Sequence, residues 1–238
     1  MERLKLLAKQ FSLELTDLQI NQFQQYYEML IEKNKVMNLT TITELEDVIT
    51  KHFLDSVAVS KIRPFFVDEN LSVLDLGTGA GFPGIPLKIV FPQLKITLMD
   101  SLNKRVLFLQ SVIDELGLSN IEAVHGRAEE AARNSVYREQ FDLCVSRAVA
   151  NLSTLSEYCL PFVKVGGHFI SYKAADLEDE VNAAKKAVHV LGGAISSVEK
   201  LMLPQSEIER AFVVIDKVSK TPKAYPRKAG TASKDPIH

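Results

Sequence analysis

Between Ser72 and Ile89 the chain reads SVLDLGTGAGFPGIPLKI, an order of residues that few folds can use. Val73, Leu74 and Leu76 make a short apolar run suited to a strand buried in a parallel sheet. Asp75 precedes three glycines at alternate positions, Gly77, Gly79 and Gly81. Pro83 and Pro86 fit only a loop or the first turn of a helix, so the strand is expected to end at the glycines. A short buried helix carrying Ile85, Leu87, Ile89 and Val90 should follow and stop at Pro92. Backbone without side chains can approach a ligand closely and turn its N–H groups into a crevice. A tight turn with no ligand would use the same glycines.

The spacing narrows the choice. A dinucleotide fingerprint runs G-x-G-x-x-G, and here Phe82 occupies the final position. The D-x-G-x-G-x-G order instead resembles the first motif of class I S-adenosylmethionine methyltransferases, in which this loop lies against the methionine part of the cofactor.

After Ser72 strands alternate with helices, the pattern of a parallel α/β sheet. Lys95 to Met99 reads as the second strand, with Asp100 just past its end and about twenty residues beyond the glycines. An acidic group there can accept both hydrogens of a ribose diol, or cap the helix that carries Val106, Leu109, Val112 and Leu116; strand end and spacing favour the ribose. Ile121 to His125 is the third strand, and Ala128 and Glu129 follow where such enzymes contact the adenine edge. Glu129 and Glu130 would equally suit the dipole of a short helix. The fourth strand, Phe141 to Ser146, ends at Arg147, where cofactor and substrate should meet. A fifth strand spans His168 to Tyr172 and ends at Lys173; two more, about 195–203 and 211–218, are expected to form an edge hairpin.

Residues 1 to about 68 read as helices, one starting at Thr16 with Leu18, Phe23, Tyr26, Tyr27, Leu30 and Ile31 on one face. A second, from about Thr43 to before Arg63, turns Val48, Ile49, Phe53, Val57 and Ala58 inward. Its His52, Asp55 and Ser56 lie within about one turn of each other and read as a polar face or capping cluster, not a nucleophilic triad. The end, residues 219–238, holds Lys220, Lys223, Arg227, Lys228 and Lys234 against Asp235, with three prolines and Tyr225. Proline should keep it extended, cations suit phosphates and Tyr225 can stack on a base; a solvated basic terminus has the same composition.

Composition excludes several alternatives. With 238 residues and a net charge of -2, nothing global demands a nucleic-acid partner, so any basic surface must be local. Cys144 and Cys159 form neither a disulfide framework nor a metal pair; both read as core, and no metal is expected. No apolar run approaches a membrane span, so no membrane partner and a cytoplasmic location are expected.

VLDLGTGAGFPGIPL, MDSLNKRVLFL, HGRAEE, SRAVA and TPKAYPRKAGT, with the upstream NLTTIT and KHFLDS, resemble the bacterial RsmG (GidB, glucose-inhibited division protein B) family. That resemblance covers nearly the whole chain. It implies a class I methyltransferase fold: a Rossmann-like α/β, mostly parallel seven-stranded sheet with helices on both faces, at about 69–218, after a helical region at 1–68 and before a basic tail at 219–238. It implies transfer of a methyl group from S-adenosyl-L-methionine to N7 of a guanine in 16S ribosomal RNA, free or in the small subunit, by a monomer. Gly77, Phe82, Ala128, Glu129 and Arg147 are then expected to contact the cofactor; the fold logic adds Gly79 and Asp100. Lys173, Lys223, Tyr225, Arg227 and Lys228 are the expected RNA contacts, and no catalytic side chain is assigned. A nicotinamide oxidoreductase and a non-catalytic RNA-binding protein are the alternatives of other classes.

Overall fold

The computed structural model describes residues 1–62, 70–147 and 150–238. Helix α1 is Glu2–Ala8 and α2 is Asp17–Met37. Thr16 caps α2 in a reciprocal box with Gln19, satisfying two of the N–H groups a helix start leaves open. Phe23, Tyr26 and Leu30 face the core, whereas Leu18, in the first turn, is 67% exposed. At the other end Asn38 takes a left-handed conformation and halts the helix.

Next come α3 (Leu45–Val48), a π-helical segment (Ile49–Leu54), α4 (Asp55–Val57) and α5 (Val59–Ile62). Val48, Ile49, Phe53, Val57 and Ala58 are all buried, as their spacing implies. The expected stop before Arg63 and the boundary at residues 68 and 69 lie outside the described residues.

Seven strands form one sheet: β1 Ser72–Leu76, β2 Lys95–Asp100, β3 Ile121–His125, β4 Phe141–Ser146, β5 Val163–Ala174, β6 Gly193–Met202 and β7 Glu209–Lys217. Their order is β3-β2-β1-β4-β5-β7-β6, with β1 to β5 pairing in parallel and β7 antiparallel to both neighbours. The expected edge hairpin forms: β6 and β7 pair antiparallel at one end of the sheet, with β6 as the outer strand and β7 between β5 and β6. Burial explains the choice: Ala211 to Ile215 is buried throughout, while β6 alternates with exposed positions.

The crossovers are α6 (Gly84–Val90), α7 (Asn103–Glu115), α8 (Ala128–Ala131), α9 (Leu152–Cys159) and α10 (Glu178–Val190). One face of the sheet packs against α2, the π-helical segment, α6 and α7, so the N-terminal helices share its apolar core. The other face packs against α9 and α10 and buries Cys144 and Cys159. β1 lies between β2 and β4, where the strand order reverses, and a crevice opens at the C-terminal ends of these strands.

The tail corrects an expectation, because it folds back on the body and ends in α11 (Thr231–Lys234). Prolines remove donors but leave carbonyls that need partners. Arg138 donates to the carbonyls of Thr221, Pro222 and Tyr225, and Arg133 to that of Pro226.

Candidate active site

The glycine loop hangs on Asp75. Its Oδ2 accepts from Thr78 Oγ1 at 2.6 Å and from the Gly84 N–H at 2.8 Å, which ties β1 to the start of α6. Oδ1 is buried without a partner among the described residues, and burial raises the carboxyl to about 6. A Cβ on Gly84 would lie 2.2 Å from Leu98 Cδ2, so this glycine, which the alternate-glycine reading passed over, is the one that close helix–strand packing requires. Gly79 differs: its φ is +62° and a Cβ there would meet nothing within 4 Å, leaving open space in front of the backbone.

A cleft of about 470 Å³ opens at Gly77, two residues earlier, and is lined also by Asp100, Ala128, Glu129, Ser146 and Tyr158, among others. Asp100 is only 3% exposed, and its Oδ2 accepts the Gly79 N–H at 3.0 Å while Oδ1 accepts that of Leu102 at 2.9 Å. It therefore caps the approach to α7 and faces the cleft at once. Arg105 Nη1 reaches the same Oδ2 at 3.4 Å, so the acceptor capacity left for a diol is chiefly on Oδ1. Open space at Gly79, a carboxylate past β2 and Ala128 with Glu129 past β3 fit the three parts of an S-adenosyl group.

A second cavity, of about 640 Å³, adjoins the first; Ala150 lines both. Ser146 faces the first and Arg147, the next residue, the second. Arg147 Cζ lies 5.0 Å from the Phe82 ring centroid, and His52 stacks on the same ring at 4.4 Å. Arg147 thus lines the second cavity with the buried Phe82 beneath its guanidinium, and neither of these two expected cofactor contacts lines the first cleft. Arg147 Nη1 donates to Asp55 Oδ2 at 2.9 Å, and Arg210 Nε to Asp55 Oδ1 at 2.7 Å. Its Nη2 faces His52 Nδ1 at 3.2 Å, so the ring proton is on Nε2 and points to Thr40 Oγ1 at 2.9 Å. Burial first, then the Arg147 charge, push His52 down to about 3 and hold it neutral.

His52, Asp55 and Arg210 were not among the expected site residues. The π-helical segment that carries His52 leaves no mark in the apolar spacing. Ser56 takes no part in the cluster, since its hydroxyl donates to the His52 carbonyl. Lys173 lines the second cavity but is paired with Glu180 at 2.6 Å and the Ala150 carbonyl, which occupies the charge expected to meet a phosphate. Of the tail residues, Lys223 and Lys228 are exposed, Tyr225 packs against the second core cluster and Arg227 is bound to Glu157. Ala148, in the SRAVA segment, lies outside the described residues.

A family model described as rRNA small subunit methyltransferase G, GidB, matches residues 19–212. The chain belongs to this family. Two relatives named ribosomal RNA small subunit methyltransferase G illustrate the likeness. The one from Brevibacillus brevis is 52% identical over 225 residues, covering 94% of each chain. The one from Alkaliphilus metalliredigens is 50% identical over 230 residues, covering 97% of this chain and 95% of its own. Among solved structures, TYW2 of M. jannaschii in complex with AdoMet aligns with a TM-score of 0.52 at 17% identity, over 69% of this chain and 77% of its own. MtNAS in complex with MTA and tNA gives 0.55 at 14%, over 85% and 70%. These two share the fold. Membership of the GidB family makes the chain an S-adenosylmethionine-dependent methyltransferase, as the glycine order implies.

Proposed function

We propose that this GidB-family chain methylates N7 of a guanine in 16S ribosomal RNA, by direct in-line attack on the sulfonium methyl without a general base. The cofactor supplies the activated methyl group. Gly77 and Gly79 let the backbone approach its methionyl part, and Arg147, over the Phe82 ring, lines the cavity that adjoins the cleft. Asp100 takes the ribose diol, and Ala128 with Glu129 the adenine edge. The guanine enters the second cavity, where Arg210 and Lys51, paired with Asp55 and Asp47, keep 26% and 37% of their side chains in solvent against 11% for Lys173 and are the cations suited to its phosphates. In A-form RNA the N7 edge faces a deep, narrow groove, so the target base must stand in a loop or be splayed out.

One observation carries the absence of a base. In the second cavity, His52 offers its lone pair to Arg147, and Asp55 holds an arginine on each oxygen. A nucleophile with a proton to lose would find both groups engaged. Guanine N7 has a free in-plane lone pair and needs only positioning, together with a setting that tolerates the positive charge it gains. No helix among the described residues is long and apolar enough to cross a membrane, which accords with work on ribosomal RNA in the cytoplasm.

The test is 7-deazaguanine at the target position, which puts a C–H where the nucleophile stands and preserves the Watson–Crick edge. Binding should change by less than about threefold, roughly 0.6 kcal/mol, and methyl incorporation should vanish. Continued methylation of that RNA would move the target to another atom.

A further inference from the structure

The segment after β7 has the composition of an arm for a polyanion, yet Arg227 turns inward onto Glu157. Glu157, on α9, is 1% exposed and accepts four hydrogen bonds from Arg227: the backbone N–H at 2.7 Å, Nε at 3.1 Å to each oxygen and Nη2 at 2.8 Å. A carboxylate so deep in the protein needs a paired cation, and the chain spends Arg227 on it. Three residues on, the Gly230 N–H donates to Glu129 Oε1 at 2.9 Å, with Gly230 at a φ of +80°. The Ala232 carbonyl accepts from Thr154 Oγ1 at 2.9 Å.

These anchors converge on one wall. Leu155 and Tyr158, which line the cleft of about 470 Å³, sit on the same short helix as Thr154 and Glu157. Glu129 lines that cleft directly, and one of its oxygens is fixed by a main-chain donor of the tail. A carboxylate fixed through one oxygen presents the other in a set direction, where it can accept from the exocyclic amino group of a purine. We propose that residues 219–238 form a strap that sets the adenosyl wall of the cofactor cleft, with Arg227 as a positioning residue for S-adenosylmethionine and not a ligand of RNA phosphate. The strap rests on the reading of this cleft as the cofactor site.

The experiment uses the full chain with Arg227→Gln, Arg227→Lys and the double variant Glu157→Gln/Arg227→Gln. The double variant leaves no unpaired buried carboxylate and keeps the test open if the single one fails to fold. Affinities for S-adenosylmethionine, S-adenosylhomocysteine and 5′-methylthioadenosine are measured by calorimetry. RNA binding is followed against salt with S-adenosylhomocysteine saturating. Arg227→Gln and the double variant should lose about tenfold or more in affinity for all three adenosyl compounds. Turnover at saturating cofactor and the salt slope for RNA should stay unchanged, and Arg227→Lys should recover part of the affinity. Unchanged adenosyl affinity with a log–log salt slope reduced by roughly 0.7 to 0.9 would make Arg227 a phosphate contact and overturn the strap. Failure of the unaltered chain to bind any of the three would instead overturn the assignment of the cleft, and the strap with it.

Discussion

The two cavities meet at the end of β4 yet are built in opposite ways. The cofactor cleft is made of local pieces, each within a few residues of a strand end: Gly77 after β1, Asp100 at the end of β2, Ala128 and Glu129 after β3. Its carboxylates, Asp100 and Glu129, accept from main-chain N–H groups, and Arg105 adds a longer contact to Asp100 at 3.4 Å. The second cavity is a tertiary assembly. Asp55 reaches Arg147 across 92 positions and Arg210 across 155, and the cluster holds two guanidinium charges on one carboxylate. Backbone geometry builds the first, and compensation of buried charge holds the second. Damage should therefore show as lost affinity in one and as lost stability with lost turnover in the other.

The largest effect is expected from Asp55→Ala. It strands two guanidinium groups, and breaking a buried pair typically costs about 3 to 5 kcal/mol. Arg147 and Arg210 keep 19% and 26% of their side-chain surface in solvent, so about 2 to 4 kcal/mol is expected. Urea unfolding gives the stability, and calorimetry should still show cofactor binding in the folded variant while methyl transfer is lost. A variant of normal stability would mean the arginines do not depend on Asp55.

The glycines come next. Gly84→Ala places a methyl group against Leu98 and Asp75 and should cost about 1 to 3 kcal/mol by overpacking. Gly79→Ala has room for its methyl group but keeps a φ of +62°, so it should cost about 1 to 2 kcal/mol and chiefly weaken cofactor binding. Thermal unfolding with and without S-adenosylhomocysteine ranks them. Equal stability with equal loss of affinity would erase the distinction between packing glycine and ligand glycine.

The smallest effect is a pH dependence. His52 has a folded value of about 3, below its ordinary 6.5, so on acidification the unfolded chain takes up this proton first. Its contribution is complete above pH 6.5 and drains as pH falls toward about 3, amounting to about 1.4 kcal/mol by pH 5.5. Asp75, raised to about 6, works the other way: its contribution is present below about 3.8 and lost as pH rises through 6. Stability of His52→Gln measured between pH 7 and 5.5 should fall less than that of the unaltered chain. Parallel curves would show that His52 does not titrate differently on folding.

What the sequence makes legible follows the same division. Val73 to Leu76 and Phe141 to Val145 announce themselves as buried strands because short apolar runs have few other uses, and in the first the glycines that follow mark its end. Asp100 could be placed because strand-end position is itself local information. His52 and Asp55 were visible as polar residues on an apolar helix, but nothing in that stretch says that Arg147 and Arg210 complete them. The tail misled because net charge counts side chains and ignores the main-chain carbonyls bound by Arg133 and Arg138 and the buried Glu157 that hold it in place. β7 was recognised as a strand, and its interior place follows from pairing with β5, a choice made across the sheet.

The central claim is that the cleft holds the cofactor and the neighbouring cavity holds the acceptor. It is tested most directly by titrating S-adenosylmethionine into Asp100→Asn and Arg210→Gln and assaying both for methyl transfer to small-subunit ribosomal RNA. Asp100→Asn should weaken cofactor binding by about tenfold or more, equivalent to losing about 1.5 kcal/mol of charge-assisted hydrogen bonding, with near-normal turnover at saturating cofactor. Arg210→Gln should bind cofactor within about twofold of the unaltered chain and lose about tenfold or more in kcat/KM for the RNA. Cofactor affinity lost to the same degree in both variants would contradict the account, because the two cavities would then be one site.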